Sequence, residues 1–363
     1  MIEARPNRPL KGRGAVSNRS GRYEAYQHIA TLDGWEEGAP GGEESRPATS
    51  VARDSSRRVI ARNQSPDVPF DRSINPYRGC EHGCIYCFAR PTHAWLGLSP
   101  GLDFETRLFA KPDAAELLRA ELANPNYRPA TLALGTATDP YQPVERRLEI
   151  TRSLLAVLKE TRHPVAIVTK SPLVTRDLDL LAPMAELGVV RVLVSVTTLD
   201  PALARRLEPR APASKRRLEA IAGLAGAGVP VGVLAAPMIP ALNDAELERI
   251  LEAAAAAGAR TAGYVLLRLP LEIKELFEEW LEAHYPDRKA KVLKLVRETR
   301  GGKLYESQWG VRMRGRGVYA ELLEKRFRQA CRRTGLDRGE WALDETRFRH
   351  PAPKADPAQM SLF

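Results

Sequence analysis

The sequence predicts an α/β protein built on a parallel sheet, and three observations carry that prediction. From about residue 69 to residue 285, short runs of β-branched apolar residues alternate with segments of helical spacing. The repeat is roughly 30 residues, the length of a strand–helix–strand unit with a right-handed crossover. Polar residues gather where each strand run ends, which is where parallel α/β folds place their sites.

The units run in order. A predicted strand over 130–134 ends in Gly135-Thr136-Ala137-Thr138-Asp139-Pro140-Tyr141, and helical spacing follows over 148–159. The run 165–168 ends in Thr169-Lys170-Ser171-Pro172 and leads into helical spacing over 178–187. The run 189–196 ends in Thr197-Thr198, ahead of a helix over 218–227. Residues 229–234 lead to Ala235-Ala236-Pro237-Met238 and an Ala-rich helix over 244–257; a strand over 263–267 and a helix over 271–283 close the series. Five strands are legible, and the chain entering the cysteine-bearing loop can supply a sixth. Six units suit a partial (β/α)6 barrel. A doubly wound open sheet fits the same alternation, and the strand-end polar residues tilt the reading toward the barrel.

Four segments are expected. Residues 1–68 are polar, with turn chemistry at Asp33-Gly34 and Gly38-Ala39-Pro40-Gly41-Gly42, and read as an irregular N-terminal extension around the 69–285 core. Residues 286–348 read as a basic helical C-terminal extension, with helices over 292–297 and 319–333 separated by Gly301-Gly302 and by Arg312-Met313-Arg314-Gly315-Arg316-Gly317. Residues 349–363 hold three prolines and read as a flexible tail.

Of 363 residues, 44% are hydrophobic, enough for a packed core, and 28% are charged. The first sixteen residues carry Lys and Arg but no apolar segment, so no secretory signal is expected. No run approaches the ~18 apolar residues of a membrane span. The expected compartment is the cytoplasm. The net charge is +10, and residues 291–333 hold thirteen Lys or Arg against four Glu, a surplus of nine. Such a concentration suits DNA or another polyanion; a solvated helical face is the plainer reading.

Chemistry centres on Asn75-Pro76-Tyr77-Arg78-Gly79-Cys80-Glu81-His82-Gly83-Cys84-Ile85-Tyr86-Cys87, which holds three of the four cysteines at Cys-x3-Cys-x2-Cys spacing. A disulfide would use two and strand the third. A structural zinc needs a fourth ligand, and no second Cys-x-x-Cys supplies a pair, although His82 or His93 could complete a Cys3His site. An iron–sulfur cluster normally takes four cysteines. Three in one loop suggest a four-iron cluster with one iron open to a substrate or cofactor. The remaining thiol, Cys331, falls in a basic helical segment.

Cys80, Cys84 and Cys87, with Tyr86 before the last cysteine, resemble the signature of the radical S-adenosylmethionine (SAM) superfamily. Asn75-Pro76-Tyr77-Arg78-Gly79-Cys80 and Phe88-Ala89-Arg90 narrow the resemblance to the branch related to spore photoproduct lyase, often labelled DNA repair photolyase-like. It runs from about residue 74 to 283. The resemblance implies a partial barrel of radical SAM type, a [4Fe-4S] cluster on the three cysteines and SAM on the open iron. Reductive cleavage of SAM would give a 5′-deoxyadenosyl radical, with a flavodoxin or ferredoxin as electron donor. It implies Tyr86 beside the adenine, Lys170 on the SAM carboxylate, and Ser195 and Thr197 on the amino or ribose groups. Arg210, in Glu208-Pro209-Arg210, would clamp a carboxylate or phosphate.

One departure concerns hydrogen return. The lyases carry a further cysteine near the end of the second strand, whereas this chain reads Thr136-Ala137-Thr138-Asp139 and has no cysteine between Cys87 and Cys331. Tyr141 is the candidate phenolic donor. The terminal Gln359-Met360-Ser361-Leu362-Phe363 resembles the peptide by which bacterial repair proteins dock on the DNA polymerase sliding clamp, which together with the basic segment tilts the substrate toward DNA. The competing expectations are a tailoring enzyme for a small metabolite or peptide, and a zinc-stabilised nucleic-acid-binding protein without catalysis.

Overall fold

The computed structural model describes residues 8–24, 48–337 and 342–352. Six parallel strands form its centre: β1 (Arg72–Ile74), β2 (Leu132–Leu134), β3 (Val165–Thr169), β4 (Val190–Ser195), β5 (Val231–Met238) and β6 (Thr261–Leu266). They lie side by side in chain order, and an antiparallel strand, Ile60–Arg62, covers the outer edge of β1. β1 is the sixth strand expected from the chain that enters the cysteine loop.

Strand order separates the two architectures that the alternation allowed. A doubly wound sheet reverses direction at a switch point. Here every crossover steps the same way, and right-handed crossovers then put the helices on one face. The sheet is wound as a six-unit partial barrel.

Each strand is followed by its helix: α1 (Ala114–Leu122), α2 (Ile150–Glu160), α3 (Leu178–Glu186), α4 (Ser214–Gly226), α5 (Leu247–Ala256) and α6 (Ile273–His284). α2 buries Ile150, Leu154, Leu155, Val157 and Leu158, the broad apolar stripe that made it legible. α1 escaped the sequence reading because its buried stripe is only Ala114, Leu118 and Leu122. These faces and the strand residues Val165, Ile167, Val192, Val194, Val231 and Val233 form one core. Neighbouring helices α1 and α2, α2 and α3, and α4 and α5 touch along the outer face.

Parts of both extensions reach the carboxyl end of the barrel, while Asp337 and residues 344–349 bond at the amino end, to Thr261, Gly188, Thr131 and Thr161. Within residues 1–68, Ser50–Arg53 is a strand pairing with Arg107–Ala110, which in turn pairs with Tyr77–Arg78 just before the cysteines. Strands of three or four residues are too short for periodicity to expose. After α7 (Pro286–Glu298), the basic turn returns to β6, where the Leu266 amide donates to the Met313 carbonyl at 2.9 Å. Fully buried Arg300 fastens that return by donating to the carbonyls of Leu266, Leu267 and Val311 at 3.2, 2.8 and 2.9 Å. α8 (Val318–Thr334) then packs on α5. The peptide Gln359–Phe363 lies outside the described residues. No helix among the described residues is long and apolar enough to cross a membrane.

Candidate active site at the carboxyl ends of the strands

The cysteine loop turns twice through glycine. Gly79 and Gly83 have φ of +77° and +66°, and a Cβ on Gly79 would come within 2.8 Å of the Phe104 carbonyl oxygen. The loop's own amides close short turns: Gly83 donates to Cys80 at 3.3 Å and Cys87 to Cys84 at 3.2 Å.

Arg90 holds these turns together. Its buried guanidinium donates to the carbonyls of Cys84 (2.8 Å), Gly83 (3.0 Å), Pro100 (3.1 Å) and Gly101 (2.9 Å), and pairs with buried Glu105 at 2.5 Å. Glu105 in turn accepts from the amides of Gly14 (2.9 Å) and Ala15 (2.8 Å), so the N-terminal segment closes over the loop. A second brace comes from the loop after β2. Ala137 donates to Asn75 Oδ1 at 2.8 Å, Thr138 Oγ1 to the Gly79 carbonyl at 2.8 Å, and the Glu81 amide to Gln142 Oε1 at 2.8 Å. Gly135 to Gln142 thus shapes the cysteine loop.

Beneath the loop lies a cavity of about 260 Å³. Its wall draws on the ends of five strands: Gly135 to Asp139 after β2, Val168 to Lys170 at β3, Ser195 of β4, Ala236 and Pro237 of β5, and Val265, Leu266 and Arg268 at β6. All three loop cysteines line it, and none forms a disulfide. Burial raises each thiol's pKa, that of Cys84 to about 12, so a bound soft cation would supply the charge that thiolates need. The donor set fits an iron–sulfur cluster bound through three corners. Of the two histidines weighed for a zinc site, His93 lies outside the cavity wall and His82 lines it beside Asp139. His93 Nε2 lies 3.0 Å from the Arg107 carbonyl, and His82 Nδ1 lies 3.4 Å from Asp139. Among the described residues no group of three His, Cys, Asp or Glu is arranged to hold a single metal ion.

Behind the cavity sits a charged hub that the sequence did not reveal. Glu208, 2% exposed, accepts from Thr197 Oγ1 at 2.6 Å and from Tyr86 Oη, and pairs with Arg217. Lys170 Nζ is 3.7 Å from the same carboxylate and 5.8 Å from the centre of the Tyr86 ring. Burial alone would raise the Glu208 pKa. The charges of Arg217 and Lys170, with hydrogen bonds from Arg217 and Thr197, outweigh it and hold the carboxyl at about 2. One carboxylate thus faces two cations. Arg217 is buried against it, which leaves the charge of Lys170 for an anionic group in the cavity.

The structure therefore brings together Cys80, Cys84, Cys87, Tyr86, Lys170 and Ser195 on one cavity, with Thr197 one layer behind. Arg210 lies outside the cavity wall, where it donates to Glu81 at 2.9 Å and steadies the cysteine loop. Tyr141 is buried away from the cavity wall, its hydroxyl 3.1 Å from Asp177. The residue missed was Glu208. It stands two positions from Arg210 in the charged stretch already singled out, and only its burial distinguishes it.

A consecutively wound partial barrel with three clustered thiols, two of them buried, at its carboxyl mouth defines a cluster-binding α/β core. The sequence profile of the Radical SAM superfamily matches residues 74–254, and the chain belongs to that superfamily. An uncharacterized protein of Mycobacterium tuberculosis is 39% identical over 232 residues, covering 63% of this chain and 68% of the relative. Another, of Methanocaldococcus jannaschii, is 26% identical over 214 residues, covering 59% and 76%. Among solved structures, a cysteine-to-alanine mutant of spore photoproduct lyase superposes with a TM-score of 0.56 at 19% identity, over 82% of this chain and 84% of that one. A double mutant of the lyase with bound S-adenosylmethionine and dinucleoside spore photoproduct gives 0.55 at 18% identity, over 78% of each chain. These likenesses establish the fold. The superfamily assignment brings radical chemistry based on a [4Fe-4S] cluster and SAM.

Proposed function

We propose that Cys80, Cys84 and Cys87 hold the cluster, that Lys170, Tyr86 and Ser195 hold SAM, and that the radical acts on DNA or a nucleotide-like substrate. When bound, the cluster supplies the electron that cleaves the SAM sulfonium and yields the 5′-deoxyadenosyl radical. This chain's residues bind, orient and shield. Lys170 would pair with the SAM carboxylate and Tyr86 would lie beside the adenine, its hydroxyl fixed by Thr197 and Glu208.

The observation that carries the substrate class is the route of the basic extension. It returns to the cavity, where Met313 joins the wall. Arg268 on that wall and Arg314, which follows Met313 and packs on Tyr264, have no carboxylate within pairing distance among the described residues, while most neighbouring arginines are paired. The bound dinucleoside in the similarly folded lyase agrees with this reading. The hydrogen-return step differs. Thr136 and Ala137 line the cavity, and its only thiols are the three loop cysteines. The proposal therefore stops at radical chemistry on a nucleic-acid substrate and does not extend to thymine photoproduct reversal.

The test is binding of a fluorescein-labelled single-stranded oligonucleotide by the reconstituted protein at rising salt. Binding that weakens steeply as salt rises is expected, because phosphate contacts release counterions. Absence of binding at low salt would transfer the proposal to small metabolites or peptides. For the cofactor, Lys170→Ala is expected to weaken SAM binding about tenfold or more while iron content is unchanged, the scale of a charge-assisted contact. Unchanged SAM affinity by calorimetry would remove Lys170 from the site.

A further inference from the structure

We propose that Phe88 and Arg268 form the clamp that positions the substrate at the cavity mouth: a nucleobase stacks on Phe88 while its phosphate pairs with Arg268. The proposal rests on the nucleic-acid reading above and adds to it the residues that do the recognising.

Both side chains line the cavity, from opposite ends of the chain's winding. Phe88 directly follows Cys87 on the loop that leaves β1, whereas Arg268 follows β6, the last strand. A partial barrel leaves a seam between its first and last strands, and these two residues meet across it. The Arg268 guanidinium carbon lies 5.1 Å from the centre of the Phe88 ring.

Each side chain is left unsatisfied by the protein. Phe88 is 48% exposed although it belongs to the cavity wall. Arg268 donates through Nη1 to the Met313 thioether at 3.1 Å, a weak acceptor, and its buried Nε has no hydrogen-bond partner. The nearest competitor for its charge, Asp67, is taken up by Arg312 and by the Gly310 amide at 2.6 Å. Arg300 nearby also has an unpartnered Nε, but it spends both of its Nη groups on three backbone carbonyls, whereas Arg268 has only a thioether. A guanidinium short of acceptors beside a half-exposed ring matches an anion joined to an aromatic face.

The mouth also limits the guest. A cavity of about 260 Å³ is smaller than most small-molecule pockets even before SAM is bound. The substrate must lie largely outside and present one reacting group, which a clamp at the seam would orient.

The experiment compares two fluorescein-labelled probes on the anaerobically reconstituted protein: a thymidine dodecanucleotide and an abasic backbone of equal length. Arg268→Ala is expected to weaken the thymidine probe about tenfold and to lower the salt slope by about one. Arg268→Lys should keep the slope. Phe88→Ala should weaken the thymidine probe about tenfold, leave the abasic probe unchanged and leave the slope unchanged. Iron content checks that each variant folds, and Phe88→Leu keeps the apolar bulk should the alanine variant fail to fold. If the wild type binds and all these variants bind as it does, the clamp is overturned and the nucleic-acid reading stands. If the wild type binds neither probe, that reading falls and the clamp falls with it.

Discussion

Replacing Arg90 by alanine is expected to leave the protein unable to hold iron. The guanidinium satisfies four carbonyls of the cysteine loop and its continuation and is the sole counter-charge within pairing distance of buried Glu105 among the described residues. Removing it orphans those carbonyls and strands the carboxylate, a change of about 3–5 kcal/mol. That loss falls on the segment that spaces Cys80, Cys84 and Cys87, so iron after reconstitution should drop from about four per chain toward zero. Arg90→Lys should rescue little, since one ammonium has three donors and cannot span five acceptors lying in different directions. Iron analysis and thermal unfolding check both variants. A lysine variant that loads iron like the wild type would show that charge alone, not the planar fork, holds the loop.

The second large effect is expected at Glu208. In Glu208→Gln the Arg217 guanidinium, 1% exposed, loses its counter-charge and Lys170 loses its neighbour. A destabilisation of about 3–5 kcal/mol is expected. The double variant Glu208→Gln/Arg217→Met should recover most of it, because removing both charges leaves neither buried alone. The pH dependence follows from the depressed carboxyl, about 2 in the folded chain against an ordinary 4.5. Its stabilisation is fully present above pH 4.5 and is lost as pH falls toward 2, where the wild-type side chain is protonated and resembles glutamine. The stability gap between wild type and Glu208→Gln should therefore be widest near neutrality and narrow below pH 4.5. A gap that stays constant with pH, or a double variant as unstable as the single one, would assign the loss to packing.

Legibility in the sequence followed distance along the chain. The three cysteines lie within eight residues, so their joint chemistry could be read directly. Lys170, Ser195 and Thr197 were legible because a parallel strand that ends in polar residues aims them at one place. Glu208 was not. Its partners Tyr86 and Arg217 lie 122 and nine residues away, and a carboxylate among arginines looks like a solvated helix end until its burial is known. Arg90 was visible as part of a phrase, but its task depends on Glu105, fifteen residues on, and on carbonyls that carry no side-chain signal. Alternation alone also left open whether the sheet was doubly wound. Strand order settles that, and order depends on which edges pair rather than on any single strand's composition.

The central claim is that the cysteine loop carries a cluster that cleaves SAM. The most direct test is anaerobic reconstitution with iron and sulfide, reduction by dithionite with SAM present, and assay of 5′-deoxyadenosine, with Cys84→Ala alongside. The account expects a brown protein that forms 5′-deoxyadenosine, and a colourless Cys84→Ala variant that forms none. A wild-type protein that takes up stoichiometric zinc, assembles no cluster and leaves SAM intact would contradict it.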